Sequence, residues 1–239
     1  VLLAVLVMIL ALFAVTKIRK STKIIKQEKA KSDKLLLNIL PESTAEELKT
    51  MGRSLPRRYE KVAVLFTDFK GFTKITETMP PEQLVDSLSL FFAGFDDIMK
   101  KYGLEKIKTI GDAYMCAGGI PDPLENASER LILAAQEMLK LTEDINQEKR
   151  EKSQETWGIR VGIHTGPVVA GVIGKYKFQY DIWGDTVNLA ARMESSGEPG
   201  RINISESTFK DVQGKITCTY RGEIAAKNKG NVKMYFVNS

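Results

Sequence analysis

Apolar and polar positions follow three different rhythms along this chain. Every residue from Val1 to Val15 is apolar, a run that reads as the C-terminal part of a transmembrane helix covering residues 1–16. Fifteen helical residues extend only about 22 Å, short of a hydrocarbon core of about 30 Å. From Thr16 to Asn38 the pattern turns charged and helical, without Pro or Gly, and Ile18, Ile25 and Leu35 to Leu37 recur at near-heptad spacing. A helix leaving the membrane is expected, ended at Pro41 and followed by a short helix that Ser43-Thr44-Ala45-Glu46 opens as a capping box. Gly52 to Arg58 reads as a basic loop. Residues 17–58 thus form a juxtamembrane linker, either a plain helix or a parallel coiled coil of about three heptads.

Beyond residue 59 the rhythm is that of a folded domain. A strand is predicted over Lys61 to Thr67, then a helix from Pro81 to Tyr102 with Leu84, Leu88, Phe91, Phe92 and Phe95 on one face. Strands 105–111 and 113–118 form a hairpin, and a helix over 124–149 turns Leu131, Ala135, Met138 and Leu141 inward. Residues 157–164 and 167–173 read as a second hairpin bent at Thr165-Gly166-Pro167. A strand over 178–182, a helix over 186–195 and a C-terminal strand–helix–strand extension complete the pattern. The order β-α-β-β-α-β is that of a ferredoxin-like α+β fold.

Charge changes the picture at one end only. The 239 residues carry a formal net charge of +5, but residues 1–61 hold 13 Lys+Arg against 6 Asp+Glu, leaving 22 against 24 for the remainder. The basic character is juxtamembrane, so nucleic acid is not an expected partner. Lys17, Arg19, Lys20, Lys23 and Lys26 directly follow the apolar run, which places the downstream domain on the cytoplasmic side of the membrane. Two cysteines, Cys116 and Cys218, are expected as buried thiols in a reducing compartment. His164, the single histidine, ends an apolar strand and is expected in a structural hydrogen bond rather than as a general base. No Ser-His-Asp arrangement and no Cys/His metal spacing is visible, which removes hydrolase and zinc chemistry.

Two aspartates carry the candidate chemistry. Asp68 follows the apolar run Val62 to Phe66, and Asp112 interrupts one that ends at Ile110, so one sheet edge can present both carboxylates. Oxygen donors of this kind suit magnesium or manganese. Gly71 permits a close backbone turn, and the helix expected after it would aim free amides at phosphate oxygens.

Phe66 to Thr73, Glu105 to Met115 and Gln179 to Met193 together resemble the class III nucleotidyl cyclases, and the likeness runs from about Tyr59 to Val237. The resemblance implies a cyclase catalytic domain over 59–239, with Asp68 and Asp112 holding two divalent cations (Mg2+ or Mn2+) per site. Backbone amides around Phe69, Lys70, Gly71 and Phe72 would contact the triphosphate. Asn188 would orient the ribose and Arg192, one turn away on the same helix face, would stabilise charge on the α-phosphate. Lys227 matches a lysine that contacts phosphates, with Lys229 close by. Lys108 and Asp181 stand where adenylate cyclases read adenine and guanylate cyclases carry Glu and Cys, so ATP is the implied substrate. The resemblance also implies a head-to-tail homodimer with two shared sites. In some relatives an Arg follows the Gly-Val-Ile-Gly stretch as a further phosphate contact; here Tyr176 falls there, flanked by Lys175 and Lys177. A guanylate cyclase, an inactive cyclase-like regulatory module and a structural membrane-tethered dimerisation domain are the competing readings.

Overall fold

The structure is a computed structural model that describes residues 2–226 and 230–238. It divides into two compact units, one of Val1–Ser54 with Gly174–Gln179 and one of Leu55–Ile173 with Tyr180–Ser239. The first contains α1 (Leu2–Leu37) and α2 (Glu42–Met51). α1 is continuous through the basic stretch, with Ile18, Ile25 and Leu35 exposed. Among the described residues no helix is long and apolar enough to cross a membrane. The capping box expected at Ser43 does not form. α2 begins two residues earlier, with Pro41 in the cap position and no side-chain cap, and Glu47 accepts a hydrogen bond from Ser54 Oγ at 2.9 Å.

The second unit is built on β1 (Arg57–Phe69), β2 (Glu105–Ile110), β3 (Ala113–Gly118), β4 (Ile159–Ile173), β5 (Gln179–Trp183), β6 (Ile202–Ser205), β7 (Cys218–Ala226) and β8 (Gly230–Val237). Its helices are α3 (Phe72–Thr78), α4 (Pro81–Tyr102), α5 (Ala127–Glu151), α6 (Asp185–Ser195) and α7 (Glu206–Val212). The sheet order is β2-β3-β1-β4-β6-β8-β7, with β5 paired to β4 outside that path. Its first four strands, joined antiparallel, have the 2-3-1-4 order of a ferredoxin-like βαββαβ fold, as the sequence pattern implies.

β1 is apolar on both faces because both are covered: Val62, Ala63, Val64 and Leu65 have no exposed surface. Ala63, Leu65 and Phe69 join Val161 and Ile163 of β4 in the main hydrophobic core with Phe91 and Phe95 of α4 and Leu131 and Met138 of α5. The alternate residues Phe66 and Asp68 therefore belong to the opposite face. Under the end of β1, Trp157 lies 5.1 Å from Phe69 and 5.5 Å from Phe91, ring centre to ring centre. Its backbone is held at both ends by Asn146, which donates to Trp157 O at 2.7 Å and accepts from Trp157 N at 2.8 Å.

Two expectations are corrected. Thr165-Gly166-Pro167 is not a turn; it lies inside β4, a single strand of 15 residues. The partner strand absorbs the proline: the β1–β4 register steps from Tyr59↔Val168 to Val62↔Gly166, a bulge that leaves Pro167 without a ladder donor to supply. The C-terminal extension also has one strand more than expected, because β7 and β8 form a hairpin after α7. Cys116 is a buried free thiol and Cys218 is half-buried and free. His164 Nδ1 lies 2.7 Å from Ser205 Oγ, as its structural reading requires.

Of the glycines, Gly162 has the least room for a side chain. A Cβ built there would lie 1.8 Å from the backbone nitrogen of Glu194, so α6 rests on β4 with no room for a side chain. Gly162→Ala is expected to lower stability by about 3 kcal/mol, since the obstruction is backbone and cannot rotate away. Gly158→Ala, whose Cβ meets only Pro199 at 3.5 Å, is expected to be neutral or slightly stabilising. Urea denaturation of both variants checks the contrast.

Candidate active site

Asp68 lies near the end of β1 on the face away from α4 and α5, and its register partner on β4 is Arg160. Arg160 Nη2 donates to Asp68 Oδ2 at 2.7 Å. Asp112 sits in the turn between β2 and β3, close enough to Asp68 for that carboxyl to act on its ionisation. The two aspartates are thus brought together as expected. Partial burial and then the adjoining Asp68 hold the Asp112 carboxyl well above the usual carboxylate range. Two carboxyl groups placed side by side repel each other when both are ionised, an arrangement that a cation relieves. Among the described residues there is no group of three or more His, Cys, Asp or Glu arranged for a metal. The donor set is two carboxylates, which fits ions that complete their coordination with water and substrate phosphate.

Within the expected phosphate cradle, Phe69 to Phe72, one backbone amide already has a partner in the fold. The Lys70 amide donates to Gly158 O at 2.8 Å. Phe69 is buried in the core, and the half-buried Phe72 ring meets Trp157 at 5.8 Å. Gly71, at φ 75°, turns the chain into α3, whose first amides have no carbonyl in a preceding turn.

The second expected pair also meets. Lys108 Nζ donates to Asp181 Oδ2 at 2.5 Å, and Asp181 Oδ1 accepts from the Ile182 amide at 2.9 Å. A bulge makes this contact available. The β2–β3 register steps from Lys106↔Cys116 to Lys108↔Met115, so Ile107 is the extra residue. Lys106 consequently faces α4, where it pairs with Asp96, while Lys108 shares the Met115 face. Asp181 is buried, at 4% exposure, whereas Lys108 is partly open. Asn188 and Arg192 stand one turn apart on the exposed side of α6, and Arg192 Nη1 donates to Ala225 O on β7 at 2.8 Å. Lys227, with Lys229, lies outside the described residues. Tyr176 is 89% exposed in the Gly174–Gln179 segment, with Lys175 over its ring.

Two residues at the site escaped the motif analysis. Arg160 and Glu194 form an ion pair, Nε to Oε1, at 2.8 Å that is not aligned as a hydrogen bond. Burial pushes the Glu194 carboxyl up to about 7, against the pull of Arg160. The available signal was a lone cation in the otherwise apolar stretch from Trp157 to Ile163.

A ferredoxin-like sheet with neighbouring carboxylates at one strand end and the Lys108–Asp181 pair on the same sheet points to a family. The chain belongs to the adenylate and guanylate cyclase catalytic domain family, whose model matches residues 55–239. An adenylate cyclase of Mycobacterium tuberculosis is 34% identical over 94% of this chain and half of its own length. Guanylate cyclase 32E of Drosophila melanogaster is 38% identical over 92% of this chain and 19% of its own length. The crystal structure of the adenylyl cyclase CyaB from P. aeruginosa aligns with a TM-score of 0.73 at 32% identity, covering 77% of this chain and 96% of that one. The chain therefore spans half or less of these two curated relatives.

The carboxyl pair has a consequence for stability. A folded-state pKa above its unfolded value means that the folded chain binds the extra proton, so the contribution of Asp112 is most favourable at low pH and is lost as pH rises. Asp112→Asn is expected to raise the melting temperature of the metal-free protein at pH 8, an advantage that shrinks toward pH 4.5. Thermal denaturation in a chelating buffer at both pH values checks this.

Proposed function

We propose that this chain is the catalytic part of an adenylate cyclase, converting ATP to 3′,5′-cyclic AMP and pyrophosphate. The observation that carries the choice of base is the Lys108–Asp181 contact. Relatives of both kinds match the chain, so overall identity does not choose between ATP and GTP. The chemistry of the pair does favour one. Lysine donates to adenine N1 and the carboxylate accepts from the 6-amino group, whereas guanine presents an N1 hydrogen and O6, which oppose both. Such a mismatch at a buried hydrogen-bonding site costs factors of about 10⁴.

Asp68 and Asp112 would hold two divalent ions, which when bound supply the charge that acidifies the ribose 3′-hydroxyl and screens the phosphates. Nucleophile and leaving group both belong to the nucleotide, so the protein aligns them in line at the α-phosphate. Backbone amides around Phe69, Lys70, Gly71 and Phe72 would contact the triphosphate, the Lys70 amide by leaving Gly158 O. Asn188 would orient the ribose, and Arg192 would meet the negative charge developing on the α-phosphate. Lys227 is proposed as a further phosphate contact. A homodimer is proposed, each site taking Asp68 and Asp112 from one subunit and Lys108, Asp181, Asn188, Arg192 and Lys227 from the other. The basic residues at the start of the helical linker support a membrane-tethered protein whose catalytic domain is cytoplasmic.

Purified chain incubated with Mn2+ and either nucleotide is expected to form cyclic AMP, with kcat/KM for ATP at least about 10²-fold above that for GTP. Asp68→Ala is expected to abolish product, and Lys108→Glu with Asp181→Cys to shift preference toward GTP. GTP turnover above ATP turnover in the unaltered chain would overturn the reading.

A further inference from the structure

Arg160 is the permanent charge at the carboxylate site. A guanidinium does not lose its proton in a protein, so it neutralises Asp68 at every working pH. Its side chain is 25% exposed, that of Asp68 26% and that of Glu194 11%, so these charges are held largely out of water. Arg160 uses different nitrogens for its two partners: Nη2 reaches Asp68 Oδ2 at 2.7 Å and Nε reaches Glu194 Oε1 at 2.8 Å. It can therefore release one carboxylate without losing the other. The backbone fixes this arrangement from both sides. Asp68 and Arg160 are register partners of β1 and β4, and Glu194 is brought down onto β4 by the missing side chain at Gly162, two residues from Arg160. Asn203 Nδ2 also donates to Met193 O at 2.7 Å, which anchors the same end of α6.

We propose that Arg160 is a built-in counter-cation that competes with divalent metal for Asp68, and that Glu194 is the positioning residue to which the guanidinium retreats when metal arrives. The proposal rests on the reading of Asp68 as a metal ligand. Without Arg160, Asp68 would stand next to Asp112 with no ion-pair partner among the described residues and would bind a divalent ion more readily. Without the Glu194 carboxylate, Arg160 would have Asp68 as its one carboxylate partner and would resist displacement. The two substitutions thus act on metal affinity with opposite signs. Because Glu194 acts through Arg160, its removal has no further effect once Arg160 is gone. A general electrostatic effect of the Glu194 charge would instead persist in that background.

The test is Mn2+ binding to the full chain without nucleotide, followed by the electron paramagnetic resonance signal of free Mn2+. Arg160→Gln is expected to tighten binding about tenfold and Glu194→Gln to weaken it about tenfold, the change expected for one charge-assisted contact. The double variant is expected to match Arg160→Gln alone. Equal and opposite effects that simply add in the double variant, or shifts of the same sign, would overturn the proposal. Glu194→Gln is nearly isosteric, so an unchanged affinity in that folded variant would also overturn it. Asp68→Asn separates the two levels: if it binds Mn2+ like the unaltered chain, the metal reading of Asp68 fails, whereas lost binding there with no change at Arg160 and Glu194 sinks this inference alone.

Discussion

The antiparallel register between β1 and β4 is the constraint on which the site depends. It sets Asp68 opposite Arg160 and Phe66 opposite Gly162. A slip of one residue would exchange the two faces of β1, sending Asp68 into the aromatic core and Phe69 to the face that carries Arg160. The register is held from both sides. Phe69 is locked among Phe91, Phe92 and Trp157, and α6 fits against β4 only where Gly162 leaves space for its backbone.

The two halves of the proposed chemistry are placed by irregularities. An ideal β2 would turn Lys108 to the helix side of the sheet; the extra residue Ile107 brings it to the face where Asp181 lies buried. The opposing bulge in β1 accommodates Pro167 and lets β4 run unbroken for 15 residues. That length lets one strand carry Arg160 and Gly162 near its start, His164 in a buried polar network and the pairing with β5. Both bulges are sites where tertiary demand overrides regular pairing.

Much of this was legible in the sequence. The helices at 81–102 and 185–195 and the hairpin around Asp112 follow directly from apolar spacing, and the contacts Asp68–Asp112 and Lys108–Asp181 are those the motif resemblance implies. The misread positions share one cause. Thr165-Gly166-Pro167 has the local chemistry of a turn, but long-range pairing with β1 outweighs that preference. The Ser43 capping box lost to Pro41, which starts the helix two residues earlier. Arg160 and Glu194 lie 34 residues apart in the chain and become partners only through the packing of α6 on β4, which no local pattern encodes.

The account's central claim is that one working site needs surfaces from two chains, with the Asp68 carboxylate on one and the Asn188–Arg192 face of α6 on the other. Mixing equal amounts of Asp68→Ala and Arg192→Ala protein and measuring cyclic AMP formation tests it most directly. Each variant alone should be inactive, and the mixture should recover about a quarter of the unaltered activity, because half of the dimers are mixed and each of these holds one intact site. A mixture of exchanging dimers that stays as inactive as its components would contradict the account.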